Sequence, residues 1–378
     1  MGSIICSVGT SCCSCLCNAC SSSLDAPARL DRKLEHLSIL IVAICIGLLL
    51  YYFGDDALSF LEFLGLTPIT GQQAIYHESF SLAIIFLFIL IFTLIDESII
   101  NRGCWTVKFL CFLCVCLLSF AMGDSFFEYY YTFAIYASVI FLIAQVLVVI
   151  DIAYTWNSNW FEKYEEGNNY SYYLIISTGI AWIGSIACTI FSFYWFTGTD
   201  CGENLWLIIS SIILGVALTI FSISGYVDDG SLFTSSIINL YLIYSCWDAL
   251  AGEYSHCNSI SGPLTKIISL ALSLLLMIVI AAYISLNQGA SNEILSEDVE
   301  KPLLNRKTTQ DPDLHIPVDT KSMIYFHLLM VFSSIYIAVL LTDWDSQNSN
   351  IGKWIKFSSL WLTAALYLWT MLSSFERH

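Results

Sequence analysis

Apolar residues run along this chain in long unbroken blocks, with polar residues gathered between them. A helix that crosses the hydrocarbon layer needs about 20 predominantly apolar residues. Reading for such blocks predicts ten spans, at about 34–53, 79–98, 104–122, 132–152, 172–196, 204–223, 231–250, 264–286, 322–342 and 352–374. Gly, Pro or polar breaks separate them, among them Gly65–Pro68, Gly123–Asp124, Gly198–Asp200, Ser224–Gly225 and Ser261–Pro263. The weakest span is 231–250, where Ser235, Ser236, Asn239 and Asp248 dilute the apolar run. Inside oil a helix satisfies its own backbone groups, so the pattern predicts an all-α integral membrane protein. Its expected segments are a cysteine-rich cytosolic start (1–33), helices one to eight (34–286), a hydrophilic cytosolic loop (287–321), and helices nine and ten with a short cytosolic tail (322–378).

Composition agrees with the membrane class. The chain is 57% hydrophobic and only 12% charged, with a mean hydropathy of +0.73, too little charge to cover a soluble surface. The net charge of −17 comes largely from loops such as Gly54–Asp56, Val227–Asp229 and Asn292–Glu300. No basic stripe of the kind that neutralises phosphates is present, which argues against nucleic acid as a partner. Ten spans place Arg29, Arg32, Lys33, Arg102, Lys163, Lys301, Arg306, Lys307, Lys321 and Arg377 on one side. Lys353 and Lys356, with Lys266 just inside a span, fall on the other. Cytosolic loops carry the excess of Lys and Arg, so both termini are expected in the cytosol. The chain is then integral to the endomembrane system or the plasma membrane.

Candidate chemistry is sparse. The six histidines show no H-E-x-x-H or other metal-ligand spacing, and neither a G-x-S-x-G elbow nor a P-loop occurs. No enzyme activity, cofactor or metal is expected. Asp151 is the ionisable residue of most interest, because a carboxylate in apolar surroundings must be paired or reach water. It sits either hydrated at a span end, near Asn157, or within the bundle as part of a polar cleft. Gln145 lies deeper, as interhelical glue or against a lipid headgroup. Asp248 and Asp96–Glu97 pose the same choice at other span ends, with the membrane interface favoured over a place within the bundle. Ser177, Ala181, Ser185 and Thr189 recur every four residues and predict close helix packing. Six cysteines crowd the first 23 residues. Cys12, Cys13, Cys15 and Cys17 are candidates for S-acylation beside the first span, with plain packing at the membrane surface as the alternative. Cys201 and Cys257 fall in loops expected to be non-cytosolic, where a disulfide is chemically permitted.

One stretch is more specific. Phe141-Leu-Ile-Ala-Gln145-Val-Leu-Val-Val-Ile-Asp151 leads into Trp156-Asn157-Ser-Asn-Trp160 and then Glu165-Glu166-Gly167-Asn168. Further motifs are Asp200-Cys201-Gly202-Glu203-Asn204, Ser235-Ser236 with Leu240-Tyr241 before Cys257-Asn258, and Phe326-His327. Ser334–Ala338, Leu341-Thr342-Asp343-Trp344, Lys353-Trp354-Ile355-Lys356 and Leu366–Thr370 complete the set. Together they resemble the serine incorporator family over nearly the whole chain. The stretches 54–78, 251–263 and 287–321 are shorter than in many animal members, so features carried there do not transfer.

The resemblance implies ten helices in two groups, crossed by a long diagonal helix for which Thr132 to Trp160 is the candidate. It also implies a protein that handles membrane phospholipid, by scrambling without ATP or by supporting serine incorporation into phosphatidylserine and sphingolipids. The expected lipid cleft is lined by Gln145, Asp151, Trp156, Asn157 and Trp160. Membrane phospholipids are the expected partners, with lipid-synthesis enzymes and a second copy of the chain as further candidates. A serine or small-solute carrier, or a scaffold recruiting partners through 287–321, stands as the alternative.

Overall fold

The computed structural model describes residues 29–63, 70–95, 105–167, 169–224, 230–252, 257–258, 263–286, 318–342 and 349–375. Among these, ten helices follow one another: α1 (Arg29–Phe63), α2 (Gly71–Ile95), α3 (Trp105–Ser119), α4 (Asp124–Glu165), α5 (Ser171–Phe196), α6 (Gly202–Ile223), α7 (Leu232–Ala251), α8 (Pro263–Leu286), α9 (Val318–Leu341) and α10 (Ser349–Phe375). No strand occurs among the described residues. The candidate acylation cysteines Cys12, Cys13, Cys15 and Cys17, the pair Asp96–Glu97 and residues 287–317 lie outside them.

Eight of the helices hold a stretch long and apolar enough to cross a membrane. The exceptions are α3, whose apolar part is the short Val107–Ser119, and α7, which is long enough but too polar. Burial explains α7. Of its 20 residues 15 are buried, against α5, α6 and α10, so protein rather than lipid is its solvent. The span that hydropathy finds weakest is therefore a central one. The converse holds for α5, which buries Ala181, Ser185, Ser192 and Phe196. Ile175, Ile176, Ile180, Ile183, Ile186 and Ile190 point outward, each more than half exposed. That surface suits acyl chains and would be a liability in water.

Several helices outrun their apolar cores. The expected loop at 54–78 is mostly helix, because α1 continues to Phe63 and α2 starts at Gly71. A reciprocal cap sets that start: Gln73 N–H donates to Thr70 Oγ1 (3.3 Å) and Thr70 N–H to Gln73 Oε1 (3.0 Å). Asp55 Oδ1 accepts from Gly71 N–H at 2.8 Å. A Cβ on Gly54 would stand 2.6 Å from the Gly71 Cα, so glycine at both positions lets α1 and α2 touch backbone to backbone. The expected loop 287–321 likewise ends early, since α9 begins at Val318. Its polar first turn stays helical because a helix start can draw on water and headgroups for its unpaired amides. At 42 residues α4 is the longest helix, and it stops where Gly167 takes φ 89°, a backbone conformation that favours glycine.

Contacts divide the chain into two compact units, each drawn from separate stretches. Unit 1 holds Met1–Ser138 with Ala281–Leu341, and unit 2 holds Val139–Ile280 with Thr342–His378. The helices α4 and α8 each contribute residues to both. In unit 1 the central helix is α2, packed against α1, α3 and α9. In unit 2 it is α7.

Candidate functional site

The polar residues of α7 form a column through the interior of unit 2. At one end Ser231 caps the helix, its side chain accepting from Thr234 N–H. Ser231 Oγ donates to Asn157 Oδ1 of α4 at 2.7 Å, and Ser222 Oγ of α6 donates to the Ser231 carbonyl at 3.3 Å. Tyr367 of α10 donates to Ser222 (3.4 Å), and Tyr154 lies 3.4 Å from Thr370 Oγ1. One turn up, Thr234 Oγ1 reaches the Ala153 carbonyl at 3.5 Å. Asn239 follows, packed so closely on α6 that a Cβ at Gly215 would collide with its Oδ1. Next comes Tyr241, whose hydroxyl accepts from Gln145 Nε2 at 3.2 Å with Ser245 and Ser359 beside it. Tyr244 pairs with Ser273 of α8 at 2.9 Å.

The column ends in a buried ion pair. Lys356 Nζ of α10 lies 2.7 Å from Asp248 Oδ2, both side chains about nine-tenths buried. The same ammonium donates to the Asp248 carbonyl at 3.3 Å. Ser269 and Ser273 of α8 both donate to Oδ1, Ser273 at 3.3 Å. Asp248 is thus buried among α7, α8 and α10, three residues from the end of α7. Its environment comes from α8 and α10, remote in sequence. Lys353 reaches Glu203 at 2.9 Å, but that carboxylate is more than half exposed and the pair contributes little. A disulfide joins Cys201, the N-cap of α6, to Cys257 beyond the end of α7.

From Ser231 to Asp248 the column runs about 26 Å along α7 at 1.5 Å per residue, against about 30 Å of hydrocarbon. Its core is buried, while Asp151, Tyr154, Asn157, Ser231, Tyr244, Ser245 and Ser359 are half-buried and mark where it approaches the surface.

The five residues predicted to line a cleft all belong to unit 2, but they do not form one cluster. Gln145 is buried and bonded to Tyr241, which is the helix-joining role. Asn157 is tied to Ser231. Trp156 and Trp160 stack with centroids 6.1 Å apart, and Trp160 also packs on Phe233 and Tyr173. Asp151 is half-buried on α4. The small-residue face of α5 packs on α7, where Gly184 meets Leu240 and Cys188 Sγ lies 3.9 Å from the Ile243 carbonyl.

Unit 1 holds a second polar group that sequence reasoning missed. Lys108 Nζ of α3 lies 3.1 Å from His36 Nε2 and 3.8 Å from Glu35 Oε2, and His36 packs edge-on to His327 of α9. Lys33 donates to the Ile284 carbonyl at 3.3 Å and sits over the Phe326 ring. Lys33, His36, Lys108 and His327 are all buried. They come from three helices far apart in sequence, and no local motif links them.

No group of three or more His, Cys, Asp or Glu side chains able to hold a metal occurs among the described residues. Comparison with known proteins places the chain. A family model described as serine incorporator matches residues 5–322 and 318–375. Serine incorporator 3 of Mus musculus is 26% identical over 371 residues, covering 81% of this chain and 79% of that one. Serine incorporator 2 of Bos taurus is 26% identical over 351 residues, covering 80% and 77%.

Proposed function

The chain belongs to the serine incorporator family, and from that premise we propose that it is a non-enzymatic handler of membrane phospholipid, lowering the barrier to headgroup passage between leaflets without ATP. The observation that carries this reading is the polar column of unit 2. Hydrogen bonds between membrane helices average about 0.6 kcal/mol each, so a few suffice as glue. The hydroxyls, amides and ion pair spaced along α7 between Ser231 and Asp248 exceed that need. They offer a headgroup successive partners in place of water. Half-buried Asp151, Tyr154, Asn157 and Ser359 supply the lateral edge at which a headgroup would engage while its acyl chains stay in oil. The bias of Lys and Arg toward one set of loops supports a cytosolic position for both chain ends.

The test is purified protein in phospholipid vesicles carrying a trace of fluorescent phospholipid. A membrane-impermeant reductant added outside bleaches the outer leaflet first. The reading predicts that bleaching proceeds into the inner-leaflet pool without ATP, while protein-free vesicles stop at the outer leaflet. Equal traces from the two vesicle populations would refute it. Labelled serine in the lumen separates the carrier reading: its release without lipid movement would favour transport of serine.

A further inference from the structure

Glu78 occupies an unusual place in unit 1. It lies early in α2 with 2% of its surface exposed. Its carboxylate touches the Gly47 backbone of α1, where a Cβ would stand 2.9 Å from Oε2 and 2.7 Å from Leu341 Cδ1 of α9. Glycine at position 47 therefore creates the slot that the carboxyl fills. Yet neither Oε1 nor Oε2 makes a hydrogen bond of good geometry. The Gly47 amide is interior to a helix and committed to the carbonyl four residues back.

Among the described residues no cation pairs with Glu78. Facing Glu78, α1 presents Gly47 and α9 presents Leu341, neither titratable. From α3 the titratable neighbour is the Cys116 thiol, which pairs with Ser81. On α2 itself, His77 is engaged by Ser119 at 3.1 Å and packs against the rings of Phe120 and Phe127. From α4 the titratable group is Tyr130, bound to Ser79 at 2.8 Å. The buried side chains Lys33, Lys108, His36 and His327 form their own group. Gly47 is eleven residues beyond His36, about 16 Å along α1. A metal ion would need several oxygen ligands, and the slot offers one carboxyl among carbon and sulfur.

We propose that Glu78 is a proton-binding site inside unit 1, its carboxyl taking one proton from bulk water onto an oxygen that lies in the slot left by Gly47. A bare carboxylate there would have lost its hydration with nothing in return, and groups so placed neutralise. The site is independent of the lipid reading, because it lies in unit 1 and its readout does not involve lipid movement.

Infrared difference spectroscopy on the full chain in phospholipid vesicles tests it. At neutral pH the wild type should show a carboxylic-acid C=O stretch above the amide I band that moves down in D2O. The band should vanish in Glu78→Gln, move in Glu78→Asp, and give way to carboxylate bands on alkaline titration. Exchange of sodium for potassium should leave it unchanged. Carboxylate bands at neutral pH in wild type minus Glu78→Gln would overturn the proposal. So would an acid band that appears only when sodium is withdrawn. If Glu78→Gln does not fold, Glu78→Asp decides: a displaced acid band supports the site and an unmoved spectrum overturns it.

Discussion

Replacing Lys356 with methionine leaves Asp248 inside unit 2 with two serine hydroxyls and no cation. The two side chains are only 10% and 9% exposed, so solvent screens the pair little. Removing one partner of a buried pair costs about 3–5 kcal/mol, mostly for stranding the other charge. Ser269 and Ser273 still donate to Oδ1, each worth about 0.6 kcal/mol on the scale for membrane interiors. The expected loss therefore lies at the lower end, about 3 kcal/mol, or more than a hundredfold in the folding constant at 1.4 kcal/mol per decade. Removing both charges, as in Asp248→Asn with Lys356→Met, should recover most of that loss, because no uncompensated ion remains. Graded SDS unfolding of the four proteins, followed by tryptophan fluorescence, completes the double-mutant cycle. A cost below about 1 kcal/mol for Lys356→Met would show that Asp248 reaches water and that the pair is not buried. A double variant no better than Lys356→Met would refute the stranded-charge argument.

Further outcomes follow from other contacts. Reducing the Cys201–Cys257 link, 56 residues apart in sequence, should cost about 2–4 kcal/mol. Cys201→Ser with Cys257→Ser should unfold in SDS like the reduced wild type, and no longer respond to reductant. Gly215→Ala should destabilise by about 1–3 kcal/mol through overpacking against Asn239, and adding Asn239→Ala should relieve most of it in the same assay. Asp55→Ala removes the acceptor for Gly71 N–H; a loss of about 1 kcal/mol is expected, with faster amide exchange confined to the first turn of α2.

How far the sequence disclosed this architecture depends on which solvent each residue meets. Spans facing lipid announce themselves, as α5 does with its outward isoleucines. Hydropathy is a weaker guide for α7, whose Asn239 and Asp248 are tolerated because neighbouring helices surround them. The true start of α2 was visible as Thr70-Gly71-Gln72-Gln73, a capping-box signature, yet a reading for apolar length alone began the helix at 79. That choice left Glu78 in an expected loop and hid the slot at Gly47. Asp248 was recognisable as a costly residue, but its partner Lys356 is 108 positions away, and single-sequence spacing carries no signal across that distance. The same limit concealed the grouping of His36, Lys108 and His327. Gln145 and Asn157 stood out in the sequence as polar positions on a long helix. Their partners Tyr241 and Ser231 came only with the packing of α4 on α7.

The central claim is that the polar column of unit 2 carries headgroups. Its most direct measurement compares ATP-independent scrambling by wild type and by Asn157→Leu with Ser231→Ala and Thr234→Val, which removes one end of the column. Each protein is reconstituted at equal density after its SDS unfolding midpoint has been checked. The account predicts rapid bleaching of the inner leaflet by wild type and at least a tenfold slower rate for a folded variant. Equal rates from the two folded proteins would contradict it.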